Sequence, residues 1–128
     1  MSAAIPYKGD VTLSFGVSDL GAAIRWYQER LGFRLLYRQD ELGWCELQGP
    51  GESITVGLGQ RESLAQGGGC VPVWGVRDIA AARADLEAAG VRFDGPTREI
   101  PGLVKLATFY DPDGNAMMFA ESIATPAA

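Results

Sequence analysis

The chain contains no histidine. That removes the side chain most used as a general base near neutral pH and as a transition-metal ligand. No Ser-His-Asp set can be assembled, and no imidazole is available to activate a thiol. Cysteine is scarce: Cys45 and Cys70 stand alone, without Cys-x-x-Cys spacing. They make no disulfide framework and are expected to be reduced, buried apolar residues. Basic residues are outnumbered, 11 Lys and Arg against 16 Asp and Glu, giving a net charge of −5. A surface of that sign does not replace the counterions of a nucleic acid, so no nucleic-acid partner is expected. Solubility is the plain reading of this acidity, and attraction of a cationic ligand is the sharper one. No apolar run approaches the roughly 18 residues of a bilayer span. Met1 to Asp10 lacks the charged-then-apolar layout of a secretory signal. No membrane partner and a cytoplasmic location are therefore expected.

What is present is a repeat. Gly16-Val17-Ser18-Asp19-Leu20 recurs as Gly75-Val76-Arg77-Asp78-Ile79. Each copy runs into an alanine pair, Ala22-Ala23 and Ala81-Ala82, and each ends on Gly-apolar-Arg, Gly32-Phe33-Arg34 and Gly90-Val91-Arg92. Two supersecondary units of about 55 residues each follow from that spacing.

Val11 to Val17 alternates, Val11, Leu13, Phe15 and Val17 against Thr12, Ser14 and Gly16, the period of a strand with one apolar face. Ser18 or Asp19 can cap a helix whose buried stripe is Leu20, Ala23, Ile24, Tyr27 and Leu31, with Gly32 as its stop. Strands are expected at Phe33 to Gln39, Trp44 to Gln48 and Ser53 to Leu58. The second unit repeats the order with a strand at Cys70 to Val76 and a helix at Asp78 to Ala89. Further strands follow at Val91 to Asp94, Leu103 to Tyr110 and Asn115 to Glu121. Asp111-Pro112-Asp113-Gly114 turns the last hairpin. The expected fold is α+β, a single domain of two paired β-α-β-β-β units forming a curved, cleft-bearing mixed sheet. Unit 1 covers about residues 11–59, a polar linker 60–69, and unit 2 about 70–121. Met1 to Lys8 is expected to be a loose arm and Ile123 to Ala128 to fray. Gly67-Gly68-Gly69 has neither the lysine nor the strand-to-helix context of a phosphate loop.

Five stretches together resemble the vicinal oxygen chelate superfamily, which includes glyoxalase I, bleomycin resistance proteins, extradiol dioxygenases and fosfomycin resistance proteins. They are Val17-Ser18-Asp19-Leu20, Trp26-Tyr27, Leu31-Gly32-Phe33, Val76-Arg77-Asp78-Ile79 and Phe109 to Asn115. The resemblance covers about residues 11 to 121. It implies metal ligands five residues before the valine of each Val-x-Asp turn, at Thr12 and Val71. It implies another four residues after the glycine of the hairpin turn, at Met118, and one in the last strand of the first unit, assigned by strand phase to Thr55. None of these offers an imidazole or a carboxylate. The expectation is therefore no metal and no cofactor, in the manner of the bleomycin-resistance branch, which binds its drug without chemistry. The resemblance also implies a homodimer.

Strand phase nominates the lining of the cleft. Thr12 and Ser14 face it from the first strand, Trp44 and Glu46 from the third, and Val71 and Val73 from the first strand of unit 2. In the last hairpin Met118 and Ala116 are expected opposite Ala107 and Phe109, with Lys105 sharing that phase. The candidate ligand-binding residues are thus Thr12, Ser14, Trp44, Glu46, Thr55, Val71, Val73, Lys105, Phe109 and Met118. Trp26, Tyr27 and Trp74 read as core or dimer contact, while Tyr37 and Arg38 are undecided. The expected function is binding of a small aromatic or cationic molecule. The alternatives are a glyoxalase-like isomerase, lyase or dioxygenase, for which a Glu46–Lys105 acid–base pair is conceivable, and a sensor or interaction module.

Overall fold

The computed structural model describes residues 10–63 and 70–124. The expected N-terminal arm, most of the linker with Gly67–Gly69, and the last residues of the C-terminal tail lie outside the described residues. The chain divides into two compact units after Glu62. Unit 1 holds β1 (Val11–Val17), α1 (Leu20–Leu31), β2 (Arg34–Gln39), a 3-10 turn at Asp40–Leu42, β3 (Trp44–Gln48) and β4 (Ile54–Gln60). Unit 2 holds β5 (Val73–Gly75), α2 (Ile79–Ala88), β6 (Arg98–Ile100), β7 (Val104–Tyr110) and β8 (Ala116–Ser122).

Each unit builds its own four-stranded mixed sheet, in the order β1-β4-β3-β2 and β5-β8-β7-β6. The wiring is the same in both. The first strand pairs parallel with the last, and the remaining pairs are antiparallel. The fold is α+β, with two separate sheets rather than one. The repeated sequence is the repeated cap. Asp19 Oδ1 accepts the N–H of Ala22 at 3.0 Å, and Asp78 Oδ1 that of Ala81 at 3.0 Å. The end of each last strand satisfies one more helix donor. Leu20 N–H donates to Gln60 Oε1 at 2.8 Å, and Ile79 N–H to Glu121 Oε1 at 2.8 Å. Helix α1 ends where Gly32 takes φ 72°, the left-handed conformation a Cβ disfavours, and Phe33 N–H bonds back to Tyr27 O.

The core of unit 1 lies between α1 and one sheet face. Leu20, Ala23, Ile24 and Tyr27 from the helix are buried with Val17, Cys45, Leu47, Val56 and Leu58. In unit 2, Ile79 and Leu86 of α2 cover Trp74, Ala107, Phe109, Met117 and Phe119. Phe109 is 0% exposed, with its ring 5.5 Å from Phe93 and 4.6 Å from Phe119.

Several strand boundaries differ from the sequence reading. β4 runs on to Gln60, because Arg61 N–H still pairs with Val17 O. β5 starts at Val73, so Cys70 and Val71 precede the sheet, and Cys70 is exposed rather than buried. Val91 to Asp94 is reduced to one isolated bridge, Phe93 to Phe109, and the edge strand forms instead at Arg98–Ile100. Gly95 and Pro96 break the run between them, since Gly95 takes φ 72° and proline has no donor for a ladder.

Candidate functional site

The face of the unit 1 sheet turned away from α1 carries the polar and aromatic side chains. The register fixes its rows. Ser14 is opposite Gly57, Gly57 opposite Glu46, and Glu46 opposite Tyr37. In the next row Gly16, Gly59, Trp44 and Gln39 are aligned, and Thr12, Thr55 and Gln48 form the row on the other side. Tyr37 reaches this face because the β2–β3 ladder shifts register between Leu35 and Tyr37. Arg38 then turns to the opposite face, where its guanidinium holds Asp40 at 2.6 Å.

Trp44 lies down on this face. A Cβ on Gly57 would overlap Trp44 Cη2 and stand 2.5 Å from Cζ2, while one on Gly59 would touch Cε3 at 3.5 Å. The two glycines are therefore a floor on which the indole rests, the use expected of glycine where another group approaches a strand closely. The ring is also tied at its edge. Trp44 Nε1–H donates to Tyr37 Oη at 3.0 Å, and the Tyr37 hydroxyl donates to Glu46 Oε2 at 2.8 Å. Donation to the carboxylate raises the Tyr37 hydroxyl above its ordinary value of 10.0, and the bond from the indole acts the other way. Arg61 Nε lies 3.9 Å from the place of a Gly59 Cβ, near the same glycine on which the ring rests, and the carboxylate is linked to the indole N–H through the Tyr37 hydroxyl.

Thr12 and Thr55 form a hydroxyl pair, Oγ1 to Oγ1 at 2.7 Å. Ser14 is exposed beside them. Gln48 shares the face, but its amide is spent on the carbonyls of Gly51 and Ile54, closing the 49–53 turn. The structure thus brings Thr12, Ser14, Trp44, Glu46 and Thr55 onto one face and adds Tyr37 to them.

The other candidates belong to unit 2. Val73 and Met118 are register partners on the face away from α2, Val73 being 51% exposed and Met118 half-buried. Val71 is 38% exposed ahead of β5. Phe109 and Lys105 require correction. The hairpin pairs Tyr110 with Ala116 and Thr108 with Met118, so Phe109 pairs with Met117 and Lys105 with Glu121, all on the helix side. The loop 111–115 sets this phase. Asp111 is buried and accepts the N–H groups of Asp113 and Asn115 at 2.9 and 2.8 Å, and Asp111 N–H pairs with Asn115 O. Phe109 is core, and Lys105 is on the wrong face to pair with a ligand beside Met118.

The sequence profile of the Glyoxalase/Bleomycin resistance protein/Dioxygenase superfamily matches residues 11–119. The chain belongs to this superfamily. Its structure is similar to that of a superfamily member from Sphaerobacter thermophilus, with 26% identity, 92% of this chain and 100% of the other covered, and a TM-score of 0.79. It is similar to TnmS3, an antibiotic binding protein from Streptomyces sp. CB03234, with 27% identity, 92% and 98% covered, and a TM-score of 0.76. The fosfomycin resistance protein FosX from Listeria monocytogenes shares the fold at 15% identity and a TM-score of 0.78, over 91% of this chain and 94% of its own. A search of curated proteins finds no significant match.

Superfamily resemblance implies a divalent metal at Thr12, Thr55, Val71 and Met118, and the residues present do not fit one. The hydroxyls of Thr12 and Thr55 are hydrogen-bonded to each other, valine has no donor atom, and a lone thioether is a poor ligand for a hard or borderline cation. Among the described residues no group of three or more His, Cys, Asp or Glu stands close enough to hold a metal ion.

Proposed function

We propose that this superfamily member binds a small, flat, cationic organic molecule on the open face of its first sheet, without a metal, and sequesters it. The observation that carries this reading is the fixed indole of Trp44 beside the carboxylate of Glu46. A tryptophan held flat on two glycines offers its free ring face for stacking and needs no rearrangement to receive a planar ligand. Stacking of this kind contributes about 0.5–1.5 kcal/mol beyond burial. A positive charge over or beside the ring adds about as much again. Glu46 orients such a ligand, with its cationic end toward the carboxylate.

The likeness to the antibiotic binding protein TnmS3 supports the class of function. Thr12, Ser14 and Thr55 supply neutral hydrogen-bonding groups along the platform. Val71, Val73 and Met118, on unit 2, are proposed as ligand-binding residues of that unit's own sheet face. The protein is proposed to act as a homodimer.

Isothermal titration with planar cations and their neutral isosteres tests this. The parent protein is expected to prefer the cation. Trp44→Ala should weaken every ligand by about tenfold, since ~1.4 kcal/mol is a factor of ten. Glu46→Gln should weaken the cations selectively. Binding of anions alone, unaffected by either substitution, would overturn the proposal.

A further inference from the structure

We infer that Tyr37 is a positioning residue that sets both the shape and the charge selectivity of this face, making it select ammonium over guanidinium ligands. The inference rests on the binding reading above and goes beyond it, because the ligand class is narrowed by a side chain that need not itself touch the ligand.

Tyr37 stands on an edge strand and is 41% exposed, yet both functions of its hydroxyl are in use. As an acceptor it takes Trp44 Nε1–H at 3.0 Å, and as a donor it gives its proton to Glu46 Oε2 at 2.8 Å. The first bond fixes the in-plane rotation of an indole whose tilt is already fixed by Gly57 and Gly59. The second bond occupies one carboxylate oxygen. Oε1 of Glu46 has no hydrogen-bond partner among the described residues, so a ligand on the platform meets one free carboxylate oxygen rather than two.

That difference sorts cations by their geometry. A guanidinium gains its advantage from two parallel N–H bonds to both oxygens of a carboxylate. An ammonium is a compact charge with donors in a cone, and a single oxygen serves it well. With one of the two lone-pair sites of Oε2 taken by the phenol, the face satisfies an ammonium at Oε1, while the second N–H of a guanidinium meets an oxygen that already accepts a bond and gains less from it.

The probes are a matched pair, (2-naphthylmethyl)amine and (2-naphthylmethyl)guanidine, titrated into the parent protein, Tyr37→Phe and Trp44→Ala. The readouts are calorimetric affinity and the indole N–H resonances in an NMR spectrum. The parent should bind the amine at least about threefold more tightly than the guanidine, the worth of roughly one weakened hydrogen bond. In Tyr37→Phe the indole resonance that disappears in Trp44→Ala should move and exchange faster with solvent, and the other two should stay. The same variant should bind the amine about three- to tenfold more weakly, with the preference over the guanidine erased. An unchanged preference in Tyr37→Phe, or an unmoved Trp44 indole signal, overturns the inference. Trp44→Ala binding both probes as the parent does would instead sink the platform reading itself, so the two failures are told apart.

Discussion

Trp44 and Gly57 are mutually dependent: the indole occupies the space that a Cβ on Gly57 would fill. A single methyl group at that position must lift the ring. Gly57→Ala is therefore expected to move Trp44 off the sheet and break its bond to Tyr37. The lost Trp44–Tyr37 hydrogen bond costs about 1 kcal/mol. The change should appear as a red-shifted tryptophan emission, a lowered Tm and a loss of planar-cation binding comparable to that of Trp44→Ala. An unshifted emission with unaltered binding would mean that the ring does not rest on the glycine.

The corrected phase of β7 separates two residues that the sequence grouped together. Phe109→Ala removes a fully buried ring from a three-phenylalanine cluster and should destabilise by about 3–5 kcal/mol. Met118→Ala, on the half-buried opposite face, should fall below the lower end of that range. Urea denaturation at matched slopes measures both. Equal costs would argue for the original phase.

The two thiols should differ in reactivity. Cys45 is 0% exposed and burial pushes its thiol above the ordinary range, whereas Cys70 is exposed. A maleimide should label one site per native chain, at Cys70, and the second only in denaturant. Labelling followed by peptide mapping decides it.

Alkaline titration reports the Tyr37 bond. Its folded value is raised above 10.0, so the stabilisation is fully present below that pH and falls as pH rises through the raised value. Tyr37→Phe should flatten this part of the stability curve. A variant that loses stability as steeply as the parent through this window would remove the role of the phenol.

A homodimer should show in light scattering at micromolar concentration as about twice the 13.7 kDa chain mass. A clean monomer would mean that each chain binds alone.

Much of this fold was legible because it is written twice. The Val-x-Asp caps, the helix stripes and the alternation of β1 each pointed the same way as their partners in the other unit. The face of β7 was not legible, because both of its phases are equally acceptable. Ala107 and Phe109 alternate with Leu106 and Thr108, and only the buried Asp111 loop decides which pair faces the helix. Tyr37 was undecided because a register shift between Leu35 and Tyr37 resets the phase of β2, and no residue type announces such a shift. Gly57 and Gly59, two glycines two apart in a strand, mark a place where something lies close to the backbone.

The most direct test is a crystal structure of the protein with a planar ammonium ligand bound. The ligand ring should lie parallel to Trp44 on the side opposite Gly57, with its nitrogen within about 3 Å of Glu46 Oε1. A ligand bound elsewhere with the Trp44 face uncovered, or a metal ion held between Thr12 and Thr55, would contradict the account.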